Sequence, residues 1–195
     1  MIVLASQSAS RRAMLEAAGV AFEAVPATLD ERALEAGLQG ARADQVALAL
    51  AEAKALAVAE AVQDERLVLG SDSLVLLGED RFDKPRSRDE AAEHLRRFSG
   101  RLMQLHSAAA IVRGGKVAWH HAALAMLQVR VLSDSFIETY LDAEWPDVGH
   151  CVGVFRIEAM GVQLFERIDG DWFTILGMPL LPVLGALREM GELPA

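Results

Sequence analysis

The chain has 195 residues, of which 52% are hydrophobic and 24% are charged, so it can bury a core and is unlike a disordered protein. This length favours one domain over two, and we expect a single domain over residues 1–195. The formal net charge of −9 argues against a general nucleic-acid-binding protein, because duplex binding depends on Lys and Arg side chains that neutralise phosphates.

Short apolar runs bounded by turn residues predict strands, and longer segments with capping residues predict helices. Strands are predicted at residues 2–5, 21–25, 67–77, 102–113, 116–131, 152–157 and 162–168. Helices are predicted at residues 11–18, 43–63, 87–98, 133–143 and 181–190, and residues 29–40 are predicted to be a loop or a broken helix. This alternation predicts an α/β or α+β fold around a mixed sheet.

The location of the protein is predicted from its cysteine content and its first residues. The single cysteine, Cys151, has no partner for an internal disulfide, which favours a reducing cytoplasm. The first apolar stretch is short and is followed, not preceded, by positive charge, which is unlike a signal peptide. No apolar run reaches the roughly 18–20 residues that a membrane span needs.

A segment rich in Ser and Arg follows the first predicted strand and opens the first helix. It contains Ser6, Ser8, Ser10, Arg11 and Arg12. Hydroxyl groups, free backbone N–H groups and guanidinium groups at a helix N-terminus can bind an anion, and the arginine fork matches phosphate oxygens. The same residues can also form an ordinary helix cap with two surface arginines, so both interpretations stay open.

Asp72 interrupts an otherwise apolar predicted strand, within Gly70-Ser71-Asp72-Ser73. A carboxylate in such a strand is costly to bury without a partner. It therefore either lines a cleft, where it can bind a metal or activate water, or forms hydrogen bonds with nearby hydroxyl groups at a strand end.

Three further charged residues are weaker candidates. Lys54 lies on a helix of mostly Ala and Leu, from which it either extends to solvent or reaches into a cleft. Lys84 precedes Pro85, which favours an extended backbone that can present the lysine to a phosphate. Glu31 lies in a polar segment, and a mobile carboxylate suits Mg²⁺. Taken alone, a solvated side chain is the simpler interpretation of each.

These signals occur in an order that resembles a known family. The segments are LASQSASRRAML, LDE, LALAEAKA, LGSDSLV, DKP, HLRRFSG, YLDAEWPDVGHCVGVFRIEAMG and TILGMPLLPV. They resemble the Maf family of nucleoside triphosphate pyrophosphatases over essentially the whole chain. The resemblance implies an elongated α/β fold, with a mixed sheet flanked by helices and two lobes around a central cleft, as in the inosine triphosphate pyrophosphatases.

The resemblance also implies an activity: hydrolysis of a nucleoside triphosphate to the monophosphate and pyrophosphate with Mg²⁺ or Mn²⁺. It makes Asp72 the general base, with Glu31 and Asp72 as metal ligands. It assigns the substrate phosphates to Ser6, Ser8, Arg11, Arg12, Lys54 and Lys84. Phosphoryl transfer needs positioning and charge neutralisation more than a protein nucleophile, which agrees with these residue types. One departure from the family pattern is Asp83, which replaces the usual glycine before Lys84.

Three positions resemble selectors of the nucleobase: Ser10, Ser73 and Glu158. The motif around Glu158 resembles the subfamily that acts on 7-methyl-GTP, and a glutamate can accept hydrogen bonds from guanine and attract a cationic purine. That subfamily tends to have Trp at the position of Ser10 and Gln at that of Ser73. The alternative substrates are dTTP and UTP, and the alternative function is a non-enzymatic regulator of cell division. The resemblance also makes a homodimer plausible.

Overall fold

The computed structural model describes residues 1–194. Within them, seven strands form one mixed sheet in the order β2-β1-β3-β5-β6-β7, and β4 pairs with β3. The strands are Ile2–Ala5 (β1), Phe22–Ala24 (β2), Val68–Leu77 (β3), Asp80–Phe82 (β4), Leu102–Arg113 (β5), Lys116–Val129 (β6) and Phe165–Asp169 (β7). The α-helices are Ala9–Ala17 (α1), Glu31–Ala36 (α2), Ala43–Val62 (α3), Arg88–Phe98 (α4), Asp134–Glu144 (α5), Trp172–Ile175 (α6) and Leu180–Glu189 (α7), and the 3₁₀ segments are Asp147–His150 and Met160–Leu164.

This architecture confirms the predicted mixed α/β fold. The described chain divides into two compact units. The first unit comprises residues 1–73, 106–123 and 172–194, and the second comprises residues 74–105 and 124–171. The single-domain organisation stays a prediction. No helix in residues 1–194 is both long enough and apolar enough to cross a membrane.

The core of the first unit forms on both faces of β1. Strand β1 pairs in parallel with β2 and with β3. Side chains alternate across a strand, so Ile2 and Leu4 pack with residues of α1 and α7, whereas Val3 and Ala5 pack with Ala55 and Val58 of α3. The strand is therefore buried on both faces, as its uninterrupted apolar sequence predicts.

The second unit contains the helix pair α4 and α5 and the antiparallel pairing of β7 with the last residues of β6, Met126 to Val129. Ser87 and Ser133 cap the two helices, each accepting a hydrogen bond from a backbone N–H three residues on. Arg88 on α4 forms ion pairs with Glu138 and Asp142 on α5. These exposed pairs contribute little stability individually, so the buried apolar faces of the two helices dominate their packing.

Two of the predicted strands are wrong or misplaced. Residues 152–157 form turns rather than a strand, and the strand predicted at 162–168 begins only at Phe165, because residues 160–164 form a 3₁₀ segment. Gly161 lies so close to Arg156 that a Cβ at this position would stand 2.4 Å from the Arg156 carbonyl oxygen. The chain is therefore folded back on itself here, which an extended strand does not allow.

Candidate active site

A close approach between α3 and β3 brings two charged side chains together in the first unit. A Cβ on Gly70 would lie 2.1 Å from the carbonyl oxygen of Ala51 and 2.8 Å from the backbone nitrogen of Ala55. Only glycine permits this distance between helix and strand. Lys54 lies between the two alanines on the helix, and Asp72 lies two residues beyond Gly70, on the same face of the strand.

Lys54 joins two carboxylates. Its Nζ lies 2.5 Å from Oδ1 of Asp72 and 3.0 Å from Oε1 of Glu31, the first residue of α2. The side chains of Lys54 and Asp72 are only 14% and 11% exposed, whereas that of Glu31 is 46% exposed. The carboxyl oxygens of Glu31 and Asp72 therefore converge on one position that already holds a positive charge.

The guanidinium group of Arg11 lies at the centre of a hydrogen-bond network, which we call the Arg11 network. Nε donates to the Gly177 carbonyl oxygen at 2.9 Å, and Nη2 donates to Oγ of Ser73 at 3.1 Å. Nη1 donates to the Ser71 carbonyl oxygen at 2.8 Å and to Oγ of Ser6 at 3.4 Å. Four of the five N–H groups of an arginine thus have protein acceptors.

Burial and charge act in opposite directions on Arg11. Burial lowers the pKa of its guanidinium below the ordinary value, and the negative charges of Asp72 and Glu31 raise it in part. Arginine stays protonated despite such a shift. The first unit therefore places two fixed cations, Arg11 and Lys54, close to two carboxylates.

Hydroxyl groups on β3 and β5 extend the Arg11 network. The Ser71 hydroxyl donates to the Ala108 carbonyl oxygen at 2.7 Å, with the Gly177 carbonyl oxygen farther away at 3.2 Å. The Ser107 hydroxyl donates to the Thr174 carbonyl oxygen at 2.9 Å. The Ser73 hydroxyl lies 3.0 Å from both the Gly177 carbonyl oxygen and Oγ of Ser107, and it can donate to one of them at a time. Gly177 has a φ of +103°, which L side chains rarely adopt, so the carbonyl that accepts the Arg11 Nε hydrogen bond depends on a glycine.

The remaining candidates of the Ser- and Arg-rich segment differ in their contacts. Ser8 caps α1 by accepting a hydrogen bond from the Arg11 backbone, and its own N–H donates to Ser6. Ser10 is half-buried and Arg12 is exposed. Within the part of the chain that the structure describes, no hydrogen bond or ion pair occupies the side chain of Ser10 or Arg12. Arg12 can therefore meet a ligand without breaking a protein contact.

Lys84 and Glu158 belong to the second unit. Both side chains are exposed, and Lys84 directly precedes the buried Pro85. Oε1 of Glu158 lies 3.9 Å from Nε of Arg156. Both charges act on Cys151: burial and Glu158 raise the pKa of its thiol, Lys84 lowers it in part, and the result is a pKa of about 11.

The carboxylate pair in the first unit fits a hard divalent cation by its chemistry. Oxygen ligands suit Mg²⁺ and Mn²⁺, and Mg²⁺ commonly takes one or two carboxylates together with water and substrate phosphates. Within residues 1–194, no group of three or more His, Cys, Asp and Glu side chains is arranged to hold a metal ion. Glu31 and Asp72 are a pair of described carboxylates that could hold such an ion.

Comparison with known proteins decides the family. The family model described as Maf-like protein matches residues 1–190. The chain belongs to the Maf-like family. Among relatives of this Maf-like protein, a 7-methyl-GTP pyrophosphatase of Rhizobium meliloti (strain 1021) is 51% identical over 197 residues, covering 100% of this chain and 98% of the relative.

Two further relatives of this Maf-like protein are similar over most of their length. A 7-methyl-GTP pyrophosphatase of Mesorhizobium japonicum is 49% identical, with 98% of this chain and 97% of the relative covered. Nucleoside triphosphate pyrophosphatase 1 of a Jannaschia species is 44% identical, with 97% and 96% covered. The family resemblance expected from the sequence motifs is thus confirmed.

Proposed function

We propose that this Maf-like protein is a nucleoside triphosphate pyrophosphatase, with 7-methyl-GTP as its preferred substrate. The observation that carries the proposal is the convergence of Glu31 and Asp72 on one cationic position beside Arg11. The printed names of full-length relatives at 44–51% identity support the same activity.

In the proposed reaction, Asp72 accepts a proton from the water that attacks the α-phosphorus. A bond forms between the water oxygen and that phosphorus, and the bond to the oxygen bridging the α- and β-phosphates breaks. Pyrophosphate leaves with the electron pair of that bond, and the nucleoside monophosphate remains. A general base contributes about 10²–10⁴-fold to such a step.

Glu31 and Asp72 would hold a Mg²⁺ or Mn²⁺ ion, which when bound supplies charge neutralisation to the phosphates. The two carboxylates currently share the ammonium group of Lys54. We propose that the ammonium group of Lys54 also interacts with the triphosphate when the substrate is bound. The Lys54 side chain is only 14% exposed, so solvent screens its charge poorly.

The other phosphate-binding assignments rest on different kinds of contact. Arg12 and Lys84 are exposed, so they can turn toward a polyanion. Arg11 retains only one N–H group beyond the Arg11 network, so we propose that it contributes its charge and one hydrogen bond. Ser6 and Ser8 are proposed to add hydroxyl and backbone donors at the start of α1, where the helix dipole also favours an anion.

We propose that Glu158 reads the nucleobase, with Ser10 and Ser73 as further selector positions. A carboxylate accepts hydrogen bonds from the two donors on the guanine edge and attracts the positive charge of a 7-methylated purine. Ser73 already has three hydrogen-bond partners in the Arg11 network. Its effect on selectivity would therefore pass through Arg11 or Gly177.

The experiment is a pyrophosphate-release assay with Mg²⁺ or Mn²⁺ on the common nucleoside triphosphates and on 7-methyl-GTP, with the D72N variant as the blank. Preferential release from 7-methyl-GTP supports the proposal. Preference for dTTP or UTP retains the chemistry and discards the substrate assignment. Absence of release from every nucleotide refutes the enzyme and favours the non-enzymatic regulator of cell division. We also propose a homodimer and a cytoplasmic location, which a measurement of the oligomeric state in solution and a cell fractionation would test.

A further inference from the structure

Helix α5 of the second unit carries a charged residue on its buried face. Ile137, Tyr140, Leu141 and Glu144 follow the spacing of one helical face, and all four are buried. The Glu144 side chain is 10% exposed, and its Oε2 has no hydrogen-bond partner among the described residues. An ionised carboxylate in such surroundings is costly unless it is paired, so packing alone does not explain a glutamate here.

Both buried polar residues of α5 hold the segment that carries Glu158. The Tyr140 hydroxyl donates to the Val154 carbonyl oxygen at 2.9 Å, and Oε1 of Glu144 accepts a hydrogen bond from the Met160 backbone at 3.2 Å. Val154 has a φ of +54°, an unfavourable conformation for a β-branched residue. Such backbone persists only where its surroundings enforce it, so α5 fixes the segment on both sides of Glu158.

Arg156 connects Glu144 to Glu158 electrostatically. Its Nη1 lies 2.6 Å from Oδ2 of Asp147 and 3.6 Å from Oε2 of Glu144. Its Nε lies 3.9 Å from Oε1 of Glu158, the longest of the three contacts. One guanidinium group thus faces three carboxylates, and Glu158 receives the smallest share of its positive charge.

We propose that Glu144 is a positioning residue for base selection. Glu144 holds the Met160 backbone, which fixes the direction of Glu158. It also competes with Glu158 for the Arg156 guanidinium group, so the negative charge of Glu158 stays available to a cationic purine. This inference rests on the proposed function, in which Glu158 reads the base. It adds to that function a residue that would not touch the substrate.

The test is the E144Q variant, because glutamine keeps the shape and can still accept the Met160 hydrogen bond. Without the Glu144 charge, Arg156 neutralises Glu158 more strongly. We expect the ratio of kcat/KM for 7-methyl-GTP to that for GTP to fall about three- to tenfold. The loss should lie mainly in KM for 7-methyl-GTP, with kcat on GTP within about twofold of the wild type.

Two further variants control for a structural effect. E138Q removes the charge of another glutamate on α5, which forms an exposed ion pair with Arg88. It should leave the ratio unchanged. D147N removes the other close partner of Arg156 at a side chain that is 64% exposed, so it should fold and lower the ratio in the same direction. An unchanged ratio in D147N overturns the proposal if E144Q does not fold.

The E158Q variant, measured in parallel, separates this inference from the proposed function. If E158Q leaves the ratio unchanged, Glu158 does not read the base and the substrate assignment fails. If E158Q lowers the ratio but E144Q behaves like E138Q, only the positioning role is overturned. If Glu144 acts through Glu158, the double variant should lose no more selectivity than E158Q alone, and additive losses would contradict that route.

Discussion

Replacement of Asp72 by Asn tests the centre of the proposed site. Asparagine has nearly the same shape as aspartate but carries no charge, so it can neither accept the proton of the attacking water nor balance the ammonium group of Lys54. Glu31, whose side chain is 46% exposed, would be the one negatively charged partner left to Lys54 within the described residues. The variant thus separates the loss of a charge from the loss of volume.

The expected stability change is modest. A hydrogen bond to a charged group contributes about 1.5–3 kcal/mol, and the uncharged amide oxygen of Asn can still accept a hydrogen bond from the Lys54 ammonium group. We therefore expect the free energy of unfolding to fall by about 1–2 kcal/mol. For a chain of this size, about 2–4 °C of Tm corresponds to each kcal/mol, so Tm should fall by about 2–8 °C.

The expected loss of activity is much larger. Loss of a general base costs about 10²–10⁴-fold in rate, which corresponds to about 3–5 kcal/mol of activation free energy. Pyrophosphate release and thermal unfolding should be measured on the same preparations. The matched control is D44N, which removes the charge of a residue on α3 in the same unit that pairs with the exposed Arg42. A D72N rate within about tenfold of the wild type would refute the base assignment.

Three further predictions concern packing, buried hydrogen bonds and thiol ionisation. G70A should lower Tm strongly or prevent folding, because the added Cβ would meet the backbone of α3 at 2.1 Å; a Tm within about 2 °C of the wild type would contradict the close approach. R11K should lower Tm by several degrees, because one ammonium group cannot replace the four hydrogen bonds of the guanidinium group. The control variant R12K should not change Tm. Equal Tm values for the two variants would contradict the structural role of Arg11. Cys151 has a raised pKa of about 11, so it should react with iodoacetamide at pH 8 roughly tenfold or more slowly in the folded than in the urea-unfolded protein. Since its folded pKa lies above the ordinary value, its contribution to stability is fully present below that ordinary value and is lost as the pH rises through about 11. Equal alkylation rates in the two states would show that the thiol is not protected.

The elements that the sequence predicts well are those in which local pattern and burial agree. Strand β1 is an unbroken apolar run, and α3 is a long Ala-rich segment without Gly or Pro. Sequence also indicates Asp72 as unusual, because a carboxylate within an apolar strand needs a partner. It could not show that Lys54 is that partner, since their contact depends on how closely α3 approaches β3.

The errors fall where tertiary contacts override local preference. Residues 152–157 are rich in Val, Phe and Ile, which favours a strand, but they form turns, and the Tyr140 hydroxyl of α5 holds the Val154 carbonyl oxygen among them. The sequence motifs also do not single out Gly177 or Glu144. Glu144 left a signal, a single acid on the apolar face of an amphipathic helix, whereas the role of the Gly177 carbonyl leaves no trace in side-chain pattern.

The chain order of the first unit has a consequence for how the protein matures during synthesis. This unit contains Asp72 and Lys54, but its Gly177 carbonyl comes from the segment that begins at Trp172. About a hundred residues separate Asp72 from that segment, a delay on the order of 5–20 s at typical translation rates. Both segments of the second unit emerge from the ribosome within this interval. The nascent chain therefore carries its proposed catalytic carboxylate and three of the four Arg11 acceptors well before Gly177, which supplies the fourth, is synthesised.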